Sequence, residues 1–207
     1  FVIRGLPSEH EICEIRIGQC RNLNIVAQQH SKGTENNVRI LKSWDIKPIV
    51  LVRNIFDVVL SLRDHFERES TMMPTGYVHQ QYFEMSEEGK LIYIARIHMP
   101  WYFNFLISWK EASREIDTFW TSYEELFGDQ VGAVFRILEF QGLPADKDRI
   151  EASISAMSGE NTRKNQAVFG RGQSLPNSCR DIILQLAECW KIDNATMESI
   201  GISAHAE

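Results

Sequence analysis

The stretch Lys47–Phe66 most constrains how this chain can fold. Ile49–Val52 is an apolar run behind Pro48, β-branched at three of four positions, and reads as a buried strand of a parallel sheet. At Arg53 the run stops. Phe56, Val59, Leu60 and Leu62 then recur at helical spacing, so a helix begins near Asn54–Phe56. Asn54 suits its N-cap, and Asp57 falls in the first turn, where the helix dipole favours a carboxylate. Ligands of open α/β sheets bind beyond the carboxyl ends of strands, and Arg53 stands at such an end. Ser61 follows about two turns into the helix. Together they offer a phosphate a fork of charged donors and a hydroxyl. The competing reading pairs Arg53 with a carboxylate such as Asp57.

The surrounding chain supports an α/β architecture. Asn24–Gln28 reads as a strand ending at Gln29–His30, and Thr34 can cap a helix to about Ser43 with Val38, Ile40 and Leu41 inward. Strand, helix, strand, helix is the alternation of a parallel sheet with right-handed crossovers. Glu67–Gln81 reads as a loop around the turn Pro74–Gly76, lining an acceptor site or packing over the sheet. Leu91–Glu115 is a long helical region that Pro100 should kink or divide. Asp117–Ser122 is a further strand, and Asp129–Phe140, Asp146–Met157 and Asn177–Lys191 are helices. Ile192–Glu207 is expected to be a tail that frays.

Three segments resemble one family. Arg53-Asn-x-x-Asp-x-x-x-Ser61 after a buried strand resembles the 3′-phosphate-binding segment of the sulfotransferases, which use 3′-phosphoadenosine 5′-phosphosulfate (PAPS). Tyr123-Glu-x-Leu126 at a strand end, preceded by Ser108–Trp109, resembles the same family, as does the polar loop Asn161–Gly172, which carries Arg163, Lys164, Gly170, Arg171 and Gly172. The resemblance implies a three-layer α/β fold of P-loop NTPase type: a central, mostly parallel sheet flanked by helices. It implies that Arg53 and Ser61 hold the 3′-phosphate and that Tyr123 reaches the adenine. The alternative for Tyr123 is a ring closing the sheet edge with its hydroxyl in water. The loop cations would close over the cofactor, and which of Arg163, Lys164 and Arg171 meets the phosphate is open. His30 precedes Arg53 by the interval of the family's base histidine, which implies that it is the general base. An imidazole titrates in the range that role requires. One departure is Gln28, where relatives often carry Lys.

The resemblance covers roughly Asn24–Trp190. The family's glycine-rich 5′-phosphosulfate loop is missing from this sequence. The chain is therefore expected to be one sulfotransferase-like domain over 1–207, lacking the N-terminal P-loop strand. The expected activity is sulfuryl transfer from PAPS to an acceptor hydroxyl or amine. The alternative is a non-catalytic nucleotide-binding or structural relative.

Composition narrows the partners. A net charge of −6 implies no broad basic surface for nucleic acid. No apolar run approaches the ~20 residues of a membrane span. Cys13, Cys20, Cys179 and Cys189 are scattered and read as reduced thiols, and the expected compartment is the cytoplasm. No metal is expected, since His, Cys and Asp do not cluster at ligand spacing. The expected partner is a small-molecule or glycan acceptor.

Overall fold

The computed structural model describes residues 2–4, 9–157 and 170–202. The chain opens with β1 (Val2–Arg4), α1 (Glu14–Gln19), β2 (Val26–Gln28) and α2 (Glu35–Ser43). Next come β3 (Ile49–Val52), α3 (Ile55–Arg68) and a short hairpin, β4 (Met72–Met73) and β5 (Gly76–Tyr77). The middle holds α4 (Gln80–Phe83), α5 (Glu87–Ile97), α6 (Met99–Ala112) and β6 (Phe119–Ser122). Then follow α7 (Tyr123–Gly128), α8 (Gln130–Phe140), α9 (Lys147–Met157), a 3-10 turn at Arg171–Ser174, α10 (Asn177–Cys189) and α11 (Asn194–Ser199).

β1 pairs with β2 and β3 with β6, both in parallel, while β4 and β5 form an antiparallel hairpin. The parallel pairing follows from the helical crossovers between partner strands. The sheet is small beside the helices, and β2 and β3 are not ladder partners.

α3 is the central helix. Ile55, Phe56, Val58, Val59, Leu60, Leu62 and Phe66 are all buried, which is the pattern of a helix enclosed on most sides. It packs against α5 and the 3-10 turn, and α10 covers α5 from beyond. Val50 and Val52 join this core from β3, but Ile49 and Leu51 on the opposite face are 41% and 49% exposed. The strand read from sequence as buried is thus buried on one face only.

Pro100 lies at the start of α6, just beyond the junction at His98 that separates α5 from α6. A proline in a first helical turn removes an N–H that has no partner there, so the division costs little. The stretch Glu67–Gln81 is more ordered than a loop: α3 runs through Arg68, and the β4–β5 hairpin follows. The C-terminal segment does not fray through Ile202. Ile192, Ile200 and Ile202 are buried, and Ile55 N–H donates to the Ile200 carbonyl at 2.8 Å. Asp193 caps α11 by accepting from Thr196 N–H.

His98 is fully buried against Phe66 and Tyr93, with Nδ1 2.8 Å from the Thr75 hydroxyl of the hairpin turn. Burial depresses its pKa to about 4, against a smaller opposing effect of the Thr75 bond. Above pH 6.5 the ring is neutral in both folded and unfolded chains, and no penalty arises. Between 6.5 and about 4 only the unfolded chain takes the proton, so stability falls as pH falls. The loss approaches about 3 kcal/mol. His98→Gln is expected to remove this acid-side slope. Urea midpoints from pH 7 to 4 test it, and parallel curves for the two proteins would contradict it.

Candidate active site

The register of β3 on β6 sets the site. Val52 lies opposite Ser122, so the next residues, Arg53 and Tyr123, leave the sheet side by side. The Arg53 guanidinium lies over the Tyr123 ring, 4.3 Å from its centroid. This contact orients the guanidinium and uses the ring's electron-rich face. The two strand ends are also tied through the backbone, as Asn54 N–H donates to Glu124 Oε1 at 3.1 Å. Both following helices are capped at once. Asn54 Oδ1 accepts from Phe56 N–H and Asp57 N–H, and Ser122 Oγ accepts from Glu125 N–H. Tyr102 of α6 lies within reach of Arg53: burial raises its hydroxyl pKa, and the Arg53 charge pulls the other way.

Asp57, Ser61 and Asp64 follow one another at helical spacing and share a face of α3. The segment after residue 169 lies along that face. Gly170 N–H donates to Asp57 Oδ2 at 2.8 Å, and Gly172 N–H donates to Asp57 Oδ1 at 2.5 Å. Asp57 therefore serves this segment with both of its carboxylate oxygens. Arg171 Nη1 stands 2.8 Å from Asp64 Oδ2, while Arg63 donates to Asp64 Oδ1. Burial opposes the charge on Asp64, but the bonds from Arg171 and Arg63 outweigh it and hold its carboxyl below the usual range. Gly170 adopts φ +82°, a conformation that favours glycine. Arg163 and Lys164 lie outside the described residues.

His30 follows β2 on a loop fastened to α6. Trp109 Nε1 donates to the Ser31 carbonyl at 2.9 Å, and Gly33 N–H donates to Ser108 Oγ at 3.1 Å. Asn37, buried on α2, donates to the Lys32 carbonyl at 2.8 Å. A Cβ at Gly33 would come within 2.6 Å of the Ser108 carbonyl oxygen, so the loop lies directly on α6. The Ser108–Trp109 pair therefore positions the loop that carries His30. α6 connects the two regions, with Tyr102 toward Arg53 and Trp109 under Ser31.

The structure thus joins Arg53 to Tyr123 and gathers Ser61, Gly170 and Arg171 along α3. His30 stands on its own loop. Asp57, Asp64 and Tyr102 were not singled out as site residues in the sequence. Only the spacing of 57, 61 and 64 marked the two carboxylates as facing what Ser61 faces. Among the described residues no group of three or more His, Cys, Asp or Glu side chains could hold a metal ion. No described helix is long and apolar enough to cross a membrane.

An arginine at the carboxyl end of a parallel strand, with a helix starting beside it, stands where ligands of α/β proteins bind. The sulfotransferase domain model matches residues 27–176, and the chain belongs to that family, the PAPS-dependent sulfotransferases, which are enzymes. Among solved structures it is similar to the mouse sulfotransferase SULT7A1 complexed with PAP, at 17% identity and a TM-score of 0.63. That match covers 96% of this chain and 77% of the mouse protein, and it shows a shared fold. Compared with curated proteins, the chain matches none.

Proposed function

We propose that this protein transfers the sulfuryl group of PAPS to the hydroxyl or amine of a small-molecule or glycan acceptor. The observation that carries the reading is Arg53, held at the β3 carboxyl end against Tyr123. Arg53 would hold the 3′-phosphate with the Ser61 hydroxyl, and Tyr123 would border the adenine. Arg163, Lys164 and Arg171 would add positive charge, with Gly170 giving the chain its turn into Arg171. The residues present suit a phosphorylated nucleoside, since a planar guanidinium and a hydroxyl bind phosphate oxygens and an aromatic ring adjoins them. The fold's likeness to a protein solved with PAP points the same way.

PAPS would supply the activated sulfuryl group. His30 would take the acceptor's proton as the acceptor oxygen or nitrogen bonds to sulfur. The bond from sulfur to the 5′-phosphate oxygen breaks, and PAP leaves. Gln28 lies two residues before His30, so no lysine assists from that position. The chemistry calls for no metal. Four free cysteines fit a reducing compartment, and we place the enzyme in the cytoplasm.

Calorimetric titration with PAP, followed by turnover of PAPS against alcohols, phenols, amines and sugars, tests the reading. Saturable PAP binding and a sulfated product are expected. Absence of both overturns it.

A further inference from the structure

We infer that Asp57, backed by Asp64, is a positioning residue for the cofactor: it fixes the segment Gly170–Ser174 against α3 and so sets the strength of PAP binding. The inference rests on the function proposed above and goes beyond it, because neither carboxylate is among the residues assigned to the ligand there.

Asp57 is 1% exposed, and its carboxylate accepts two backbone N–H groups, one on each oxygen, from Gly170 and Gly172. A buried carboxylate answered on both oxygens by the backbone of one distant segment fixes that segment in two directions. The seat is close as well as polar. A Cβ at Gly172 would stand 2.6 Å from Phe56 Cβ and 2.9 Å from Asp57 Oδ1, so only glycine fits there. Asp64, two turns further along α3, takes the Arg171 side chain at 2.8 Å. Arg180 of α10 donates to the carbonyls of Gly172 and Leu175 and lays its guanidinium over Phe56 of α3, 4.4 Å from the ring centroid.

The segment is thus held by α3 and α10, and Ser61 lies on α3 between the two carboxylates that hold it. Asn54 Oδ1 caps the backbone N–H of Asp57 and directly follows Arg53, so the clamp and the proposed phosphate site share the first turn of α3. A ligand held by Arg53 and Ser61 meets a segment already in place. The cost of ordering that segment is met in folding and is not charged to binding.

Asp57→Asn and Gly172→Ala attack the same contact from its two sides. The asparagine keeps one acceptor oxygen, and the alanine keeps the carboxylate but crowds it. Both are expected to raise the Kd for PAP, and the KM for PAPS, by about tenfold while leaving kcat within about twofold. Asp57→Asn is expected to be the milder of the two. Leu41→Ala, which opens the core on α2 away from the clamp, serves as the stability control: it should lower the melting temperature and leave the Kd for PAP unchanged. Wild-type Kd in both Asp57→Asn and Gly172→Ala overturns the inference and leaves the proposed function standing. So does an equal rise in Leu41→Ala, which would mean that any loosening of the fold weakens binding. Failure of the wild-type chain to bind PAP overturns the proposed function and this inference together.

Discussion

Arg53→Ala is expected to weaken PAP binding by about 100-fold, which corresponds to about 3 kcal/mol and to the loss of one or two charge-assisted hydrogen bonds. The expectation rests on where β3 delivers the residue. Parallel pairing places Val52 beside Ser122, and the guanidinium then lies over Tyr123 in a fixed pose instead of sampling solvent. A preorganised fork gives up little entropy on meeting a phosphate. Arg53→Lys separates charge from geometry. Lysine keeps the positive charge but loses the planar fork and most of the stacking, so it should recover only part of the affinity. The effect should shrink as salt is raised, since screening weakens the attraction between arginine and phosphate. Calorimetric Kd values for PAP across the three proteins provide the measurement. Unchanged affinity in Arg53→Ala would place the phosphate elsewhere.

The place of Arg53 at the end of a strand, ahead of a capped helix, was legible because its signal is local. An apolar run, a cap residue and helical spacing lie within twenty residues, and each follows from short-range physics. The division of Leu91–Glu115 near Pro100 was legible for the same reason, since the proline acts on its own turn. The role of Asp57 was not. Its partners Gly170 and Gly172 lie 113 and 115 positions away, and no periodicity encodes which distant amides a carboxylate will meet. The C-terminal segment shows a finer split. Asp193 as the cap of α11 is a local pattern, but the docking of Ile200 on Ile55 is a tertiary contact that overrides a polar, fraying-prone composition. Half-burial of β3 belongs to the second kind as well: alternation fixes which residues share a face, and only packing decides whether that face is covered. The Arg53–Tyr123 contact lies between the two. Each residue could be found at its own strand end, but their meeting needed the register of β3 on β6.

His30→Ala is expected to lower kcat by 10²- to 10⁴-fold, the usual range for removing a general base, and to leave the Kd for PAP within about twofold. The separation of the two effects is the informative part. His30 sits on the loop after β2, fastened to α6 through Ser31 and Gly33, whereas the residues proposed for the nucleotide lie at the end of β3, on α3 and at the start of α7. Loss of the imidazole therefore need not disturb the nucleotide site. The anchors of the loop are backbone groups of Ser31, Lys32 and Gly33, so they survive the substitution and the loop should hold its place. A structural histidine would give a different signature. Removing it would lower the melting temperature and change PAP binding and turnover together. The pH profile supplies a second test. With His30 present, the acid limb of kcat/KM reports a base that must be unprotonated, and in His30→Ala that limb should disappear from the residual activity. Added imidazole should restore part of the rate if the missing group is only a proton acceptor. An unaltered kcat in His30→Ala would assign the base to another residue, and Tyr102, the hydroxyl nearest in kind beside Arg53, would be the next substitution to make.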